Sequence, residues 1–305
     1  MGLLGKFFHH SSGNHEEEIK SKGFEISECS FECDSCTSKF PASLKFDEEA
    51  ELWDSTKPFG LHLLVSTGKS DWPHDATGES NTLSNAVAKW GSDHSQKYSQ
   101  IGNIKVSTSS LSSDEFLTDD DYIKEQKGDI LILPFFVWVK GVTIKETSSV
   151  LSSLIPDLIK FRNEKVTDLQ IPTTYSTSFP SVRFEIDTSK SYVFLCSHRT
   201  RDKRCGVTAP IMKKEMDLHL RDLGLYRDVG DNTPNGVRVA FINHIGGHKY
   251  AANVIIYLRS SGKIIWLARC KPNNVVPIID ECIVNDGKVW PNNIRLLQKL
   301  DPIDW

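Results

Sequence analysis

The stretch SYVFLCSHRTRDKRCGVTAPIMKKEMDLHL, residues 191–220, carries the signals of a strand, a charged loop and a helix in that order. Its first six residues are mostly apolar and predict a buried strand that ends at Cys196. A loop rich in Arg and Lys leads to Cys205, and a helix follows, with Pro210 in its first turn and Gly224 after its end. Thiols at both ends of such a loop can form a disulfide, a redox pair or half of a metal site.

The composition is that of a globular protein with room for two domains. The chain has 305 residues, of which 39% are apolar and 25% are charged, and its net charge of −4 gives no basic field for nucleic acid. No run approaches the roughly 18–20 apolar residues that a membrane span needs. The first twenty residues lack a signal-peptide pattern, so we expect a protein of the cytosol, alone or together with the nucleus. Seven cysteines, an odd number, in a reducing compartment disfavour a structural disulfide.

The predicted elements occur twice in the order β-α-β-β-α, with one further strand before the last helix in the second half. A polar, acidic stretch precedes them, and a stretch rich in Pro, Ser and Thr separates the two sets. We therefore predict an α/β fold, an α+β sandwich of two tandem thioredoxin-like domains. The predicted bounds are 1–55 for a mobile N-terminal arm, 56–165 for a degenerate first domain, 166–188 for a linker, and 189–305 for the second domain with its tail.

A histidine pair follows the next predicted strand of the second half. His244 and His248 stand in NHIGGHKY, residues 243–250, and Gly246 and Gly247 between them permit a tight turn. Because this loop and the cysteine loop both follow strands, we expect them to converge. The predicted metal site has four ligands, namely Cys196, Cys205, His244 and His248.

The residue types leave the metal open between zinc and iron–sulfur. Zinc accepts two Cys and two His ligands, but structural zinc sites usually use a Cys-x2–4-Cys knuckle. The gap of eight residues between Cys196 and Cys205 suits a larger [2Fe–2S] centre, and Rieske centres show that two histidines can replace two cysteines. A zinc-stabilised interaction module without redox activity therefore stays the alternative to an electron carrier.

The motifs LCSHRTRDKRCGVTAP (195–210) and INHIGGHKYAANVIIYLR (242–259) resemble the sucrase/ferredoxin-like family of thioredoxin-like ferredoxins. DWPHD (71–75) and ILPFFVW (132–138) extend the likeness to roughly residues 57–305. The resemblance implies that the second predicted domain is a thioredoxin-like ferredoxin. It also implies a [2Fe–2S] cluster with two Cys and two His ligands in a non-Rieske fold. It also implies a cytosolic redox role, linked to actin patch distribution and to tolerance of oxidative or metal stress. By analogy, the cysteines would hold one iron and the histidines the other.

The chain ends in Ile303-Asp304-Trp305. This tripeptide resembles the C-terminal signal that the cytosolic iron–sulfur assembly targeting complex recognises in its clients, and a terminal aromatic with a free carboxylate suits a pocket with a basic rim. The cationic loop between Cys196 and Cys205 could also steer an acidic redox partner such as a flavin reductase.

Other cysteines and histidines receive weaker predictions. We expect His198 to lie beside the site or to be merely exposed, and His74 to pack between the halves. Cys29, Cys33 and Cys36 have the spacing Cys-x3-Cys-x2-Cys, which some cubane clusters use, but they lie in an acidic segment. No Cys-x2-Cys follows a first strand, which disfavours a thiol oxidoreductase of the usual kind. Small core residues are predicted at Cys270 and Cys282.

Overall fold

The structure is a computed structural model that describes residues 12–34, 36–113, 115–165, 170–246 and 249–301. These residues contain twelve strands and eight α-helices. The strands are β1 (Glu25–Ile26), β2 (Phe59–Ser66), β3 (Asn103–Ser109), β4 (Gly128–Leu133), β5 (Val137–Val142), β6 (Arg183–Ile186), β7 (Ser191–Cys196), β8 (Val237–Ile242), β9 (Val254–Leu258), β10 (Lys263–Leu267), β11 (Lys288–Val289) and β12 (Ile294–Lys299). The helices are α1 (Ser12–Ser21), α2 (Leu83–His94), α3 (Glu115–Thr118), α4 (Asp120–Lys124), α5 (Thr147–Asn163), α6 (Thr174–Ser178), α7 (Lys203–Asp222) and α8 (Val275–Pro277), which continues as a π-helix (Ile278–Val284).

Ten strands form one sheet in the order β12-β10-β9-β7-β8-β3-β2-β4-β5-β6. The order β3-β2-β4-β5 in the first half matches β8-β7-β9-β10 in the second, and in each half the first two strands are parallel. The predicted mixed α/β sandwich is thereby confirmed. The predicted element order holds in the second half, whereas the first half has two strands, β4 and β5, where one was predicted, and has the short helices α3 and α4 between β3 and β4. Two thioredoxin-like domains with the predicted bounds remain a prediction.

The two halves of the sheet join at the β3–β8 pairing, where Ser109 is opposite Ile242. Beyond that junction their inner faces pack on each other, since the Phe136 and Tyr192 rings, from different halves, lie 5.9 Å apart. Separate apolar clusters lie under α2 and α5 and under α7. Because both faces are covered, a strand such as β7 is buried at every residue, as its apolar sequence predicts.

The N-terminal segment packs against the second half, where composition predicted a mobile arm. Among the described residues, Ile19 and Phe24 lie fully inside the apolar cluster of that half, and Leu52 is buried as well. The two residues of β1 pair in parallel with β11. Single apolar residues spaced along a polar sequence make these contacts. Because they follow no periodic pattern, the sequence did not predict their burial.

The predicted linker also contributes to the fold. In its described part, residues 170–188, α6 buries Tyr175 against the first half, and β6 pairs with β5 at the edge of the sheet. None of the helices in the described residues combines the length and the apolar character needed to cross a membrane.

A histidine is buried between the inner faces of the two half-sheets. His62 is inaccessible to solvent; its Nδ1 lies 2.6 Å from the Tyr257 hydroxyl and its Nε2 lies 2.9 Å from the Ser107 hydroxyl. Burial, together with the nearby Lys105 charge, lowers the pKa of His62 to about 3. The neutral ring therefore links the halves through its hydrogen bond with Tyr257, while Ser107 holds it within the first half.

Replacing Tyr257 with Phe should destabilise the protein by about 1–3 kcal/mol, because one buried nitrogen of His62 then loses its partner. Tyr98→Phe is the matched control, since the Tyr98 hydroxyl is buried without a hydrogen-bond partner among the described residues. Urea unfolding of both variants measures the two changes. Equal losses in free energy of unfolding would contradict a role for the His62–Tyr257 hydrogen bond.

Candidate metal centre

Two neighbouring parallel strands place Cys196 and His244 at the same edge of the sheet. Cys196 ends β7 and is opposite Ile242, the last residue of β8. The Ser197 N–H donates to the Ile242 carbonyl at 3.1 Å, which continues the pairing by one residue. His244 follows only two residues after Ile242, so its side chain begins beside the Cys196 thiol.

The helix α7 supplies Cys205 from its first turn. The sequence predicted that this helix follows Cys205, but it begins at Lys203, because Asp202 caps it by accepting the Arg204 N–H at 2.9 Å. Pro210 consequently lies inside the helix and not in its first turn. Cys205 lies in the first turn of α7, where its backbone N–H donates to the Asp202 carbonyl at 3.0 Å.

Gly206 allows the cysteine loop to fold back over the start of α7. A Cβ atom at this position would lie 2.4 Å from the Cβ of Arg199, well inside contact distance. A larger residue would force the loop away from the helix and would separate the two cysteines.

Three side chains meet where these elements converge. The Nδ1 atom of His244 lies 3.6 Å from the Cys196 sulfur and 3.9 Å from the Cys205 sulfur, and the three atoms lie within 4.8 Å of one another. Cys196 is 4% exposed and Cys205 is fully buried, while His244 is half-buried. Within the described residues, this is the one group of three or more His, Cys, Asp or Glu side chains that is close enough to bind a metal ion.

The two thiols have unequal acidity. A hydrogen bond from the Cys205 thiol, reinforced by His244, lowers the pKa of Cys196. The same hydrogen bond, together with burial, raises the pKa of Cys205. The pair therefore holds one thiolate beside an imidazole, a set of soft donors suited to zinc or to iron–sulfur centres.

His198 lies beside the site with both ring nitrogens engaged. Its Nε2 donates to the Trp72 carbonyl at 2.9 Å and to the Pro73 carbonyl at 3.0 Å, and its Nδ1 accepts the His244 N–H at 3.2 Å. Burial lowers the pKa of His198, in keeping with a neutral ring that both donates and accepts. His198 therefore fixes the backbone of His244 and links it to the first half.

The loop of residues 68–75 from the first half lies against the cysteine loop. Asp71 accepts two hydrogen bonds from Thr200, at 3.0 Å from the N–H and 2.8 Å from the hydroxyl. The Ser197 hydroxyl donates to the Ser70 carbonyl at 2.6 Å. His74 contacts Arg201 of the second half but is exposed to solvent.

A buried arginine supports the histidine loop and was not singled out from the sequence. Arg295 in β12 is 1% exposed, and its guanidinium donates to the Asn253 side chain at 2.9 Å and to the Gly246 carbonyl at 3.4 Å. It also lies 4.9 Å from the centre of the Trp266 ring. Burial lowers its pKa to about 10, so it stays charged at neutral pH. A cation within the apolar strand sequence IRLL was the signal that could have identified it.

The remaining predicted site residues have different outcomes. Gly246 adopts φ +65°, which requires glycine for its conformation, since no atom lies within 4 Å of an added Cβ. Gly247, His248, Ile303, Asp304 and Trp305 lie outside the described residues. Cys270 and Cys282 are buried in the core of the second half, as predicted.

The fold and the site define an α/β protein with a Cys–Cys–His group that could bind a soft metal centre. The chain belongs to the sucrase/ferredoxin-like family, whose model matches residues 52–296. It is 37% identical over 262 residues to actin patches distal protein 1 of Saccharomyces cerevisiae, covering 85% of this chain and 80% of that protein.

Proteins named altered inheritance of mitochondria protein 32 are also similar. The one from Saccharomyces kudriavzevii is 26% identical over 286 residues, covering 87% of this chain and 81% of that protein. The one from Debaryomyces hansenii is 39% identical over 101 residues, a third (33%) of each chain. No solved structure matches the chain.

Replacing His198 with Ala should loosen the histidine loop, because the His244 N–H and the carbonyls of residues 72 and 73 lose a buried partner. We expect the amide of His244 to exchange with solvent at least about tenfold faster, which corresponds to about 1.4 kcal/mol of lost protection. Hydrogen-exchange mass spectrometry measures this. His74→Ala, which removes an exposed histidine of the same contact region, should leave His244 unchanged. Unaltered protection in His198→Ala would contradict the positioning role.

Proposed function

We propose that the chain is an electron carrier that holds a [2Fe–2S] cluster between Cys196, Cys205, His244 and His248. The observation that carries the proposal is the meeting of two sulfurs and one imidazole nitrogen within 4.8 Å of one another. The donor set fits the group, since thiolate and imidazole ligands together bind Rieske-type clusters. Membership in a family described as ferredoxin-like supports iron–sulfur over other soft metals.

The fourth ligand, His248, is proposed from its spacing in the sequence. It follows His244 by four residues, and the left-handed Gly246 between them turns the chain. The division of the four ligands between two irons, with the cysteines on one and the histidines on the other, stays a hypothesis.

The protein's own residues hold the site and shield it. Cys196 and Cys205 are buried, whereas His244 is half-buried. His198 and Arg295 fix the backbone on the two sides of His244 through its N–H and the Gly246 carbonyl. A bound [2Fe–2S] cluster would accept and release one electron at a time. A fixed ligand frame of this kind keeps the structural change between its two redox states small.

A zinc-stabilised interaction module is the second candidate, and the ligand spacing favours it. Ligands of one tetrahedral zinc ion with Zn–S of about 2.3 Å and Zn–N of about 2.0 Å lie about 3.5–3.8 Å apart. The sulfur–nitrogen separations of 3.6 and 3.9 Å are close to that spacing. Zinc would stabilise the loops and would carry no electrons.

Partners and location are proposed from charge, sequence and relatives. Of the four cations in the loop, Arg204 is paired with Asp202 and the half-buried Arg201 contacts His74. Arg199 and Lys203 are exposed beside the site, and these two would steer an acidic partner such as a flavin reductase. The tail Ile303-Asp304-Trp305 would present the chain to the cytosolic iron–sulfur assembly targeting complex. Similarity to actin patches distal protein 1 supports a cytoplasmic role connected with actin patches.

Metal content and spectra of ligand variants test the proposal. Anaerobically purified protein should contain iron and acid-labile sulfide in equal amounts, absorb in the visible range and give a reduced-state EPR signal. Cys196→Ala should lose all three. His244→Cys should keep the cluster but lower its potential by on the order of 100 mV, because thiolate donates more negative charge than imidazole. Cys270→Ala, which changes an equally buried thiol outside the site, is the control and should match wild type. Colourless protein with stoichiometric zinc would instead support the second candidate.

The midpoint potential should fall as pH rises from 6 to 10. An imidazole bound to an oxidised cluster loses its remaining proton more readily than one bound to the reduced cluster, so reduction takes up a proton above the oxidised-state pKa. Between the oxidised-state and the reduced-state pKa values, the expected slope of the potential is about −59 mV per pH unit for one proton per electron. Redox titration by visible spectroscopy at each pH measures it. A pH-independent potential would contradict proton coupling and would leave electron transfer itself intact.

A further inference from the structure

The segment that contains Cys33 and Cys36 is hydrogen-bonded to the second half of the molecule. The Cys33 N–H donates to the Asn273 carbonyl at 2.7 Å. The Asn274 side chain donates to the Phe31 carbonyl at 2.8 Å. Both partners belong to the 3-10 turn Pro272–Asn274, which directly precedes α8. The chain is therefore held from two residues before the first thiol.

The chain is hydrogen-bonded to the second half again after Cys36. The Ser38 N–H donates to the Glu215 carboxylate of α7 at 3.1 Å, and Cys36 itself packs against the apolar cluster of the second half. Hydrogen bonds before Cys33 and after Cys36 limit how far the two thiols can separate. Cysteines with two residues between them can reach the Cα separation that a disulfide needs.

The two thiols are already in contact and are reachable from solvent. Cys33 and Cys36 hydrogen-bond through their sulfurs, and both are half-buried. Burial raises the pKa of Cys36, although the Val276 backbone N–H donates to its sulfur and acts in the opposite direction. Cys36 is accordingly the slower nucleophile, which suits a thiol that resolves a mixed disulfide formed at its neighbour.

The other cysteines are placed differently. Cys270 and Cys282 are fully buried, and Cys196 and Cys205 belong to the candidate metal centre. Cys29 is exposed, and its carbonyl is tied to the Trp290 indole at 2.7 Å. In the described part of the chain, Cys29, Cys33 and Cys36 do not come together as a metal-binding group, although their spacing in the sequence allowed one.

We propose that Cys33 and Cys36 form a reversible dithiol–disulfide couple, a two-electron redox site separate from the Cys–Cys–His group. The oxidant is a low-molecular-weight disulfide such as glutathione disulfide. The Cys33 thiolate attacks one of its sulfurs and releases one glutathione thiolate, which gives a mixed disulfide. The Cys36 thiolate then attacks the Cys33 sulfur and releases the second glutathione. The protein loses two electrons and two protons, and one disulfide becomes two thiols.

Thiol mapping of the full chain in glutathione buffers tests this proposal. After acid quenching and alkylation, mass spectrometry of the peptide with residues 23–39 reports all three thiols. As the share of glutathione disulfide rises, Cys33 and Cys36 should escape alkylation together with the loss of two hydrogens, while Cys29 still alkylates. In Cys36→Ser, Cys33 should instead carry glutathione, in an amount about tenfold above that in wild type, because its resolving thiol is missing.

Cys29→Ser is the matched control and should leave the Cys33–Cys36 disulfide unchanged. The proposal is overturned if Cys33 and Cys36 stay alkylatable in buffers that already modify Cys29, or if the main disulfide includes Cys29. Because the readout is the wild-type peptide, neither the metal content of the protein nor the folding of a variant affects the decision.

Discussion

The parallel pairing of β7 with β8 is the constraint on which the candidate metal centre depends. Parallel neighbours end at the same edge of a sheet, and here the register sets Cys196 opposite the residue that lies two positions before His244. The crossover helix α7 must begin at that same edge in order to connect the two strands, and its first turn carries Cys205. Three donors from three elements therefore converge through ordinary βαβ geometry.

The first half of the chain supplies no ligand among the described residues, yet it encloses the site. Its loop of residues 68–75 hydrogen-bonds to the cysteine loop and, through His198, to the backbone of His244. Face-to-face packing of the two half-sheets holds that loop in place, and the buried His62 lies in this interface. We infer that the first half serves the site by excluding water and by fixing one wall of the centre.

The sequence predicted the local parts of this arrangement and missed the distant ones. Apolar strands, glycines and cysteine spacing predicted β7, its loop and the repeated element order, because these signals lie within a few residues of each other. The start of α7 was misjudged because Asp202 is a cap hidden in a run of charges. His198 could not be assigned a role, since its carbonyl partners lie 126 and 125 residues away.

The difference between local and distant contacts also explains why the packing of the N-terminal segment and the burial of Arg295 were not predicted. A polar segment was predicted as an arm because only isolated apolar residues, such as Ile19 and Phe24, are buried there, and their pockets are formed by the far end of the chain. Arg295 is buried because Asn253, Ser55 and a carbonyl of the histidine loop satisfy its donors, and none of these partners is near it in sequence. Residue types and their spacing predicted the candidate metal ligands, whereas the side chains around these ligands are brought there by long-range packing.

X-ray absorption of the purified protein at the iron and zinc edges tests the central claim most directly. The account predicts an iron edge whose near neighbours are sulfur and nitrogen, followed by a second iron, as in a bridged two-iron centre with thiolate and imidazole ligands. A stoichiometric zinc edge with a single tetrahedral sulfur and nitrogen shell, or iron without nitrogen neighbours, would contradict it.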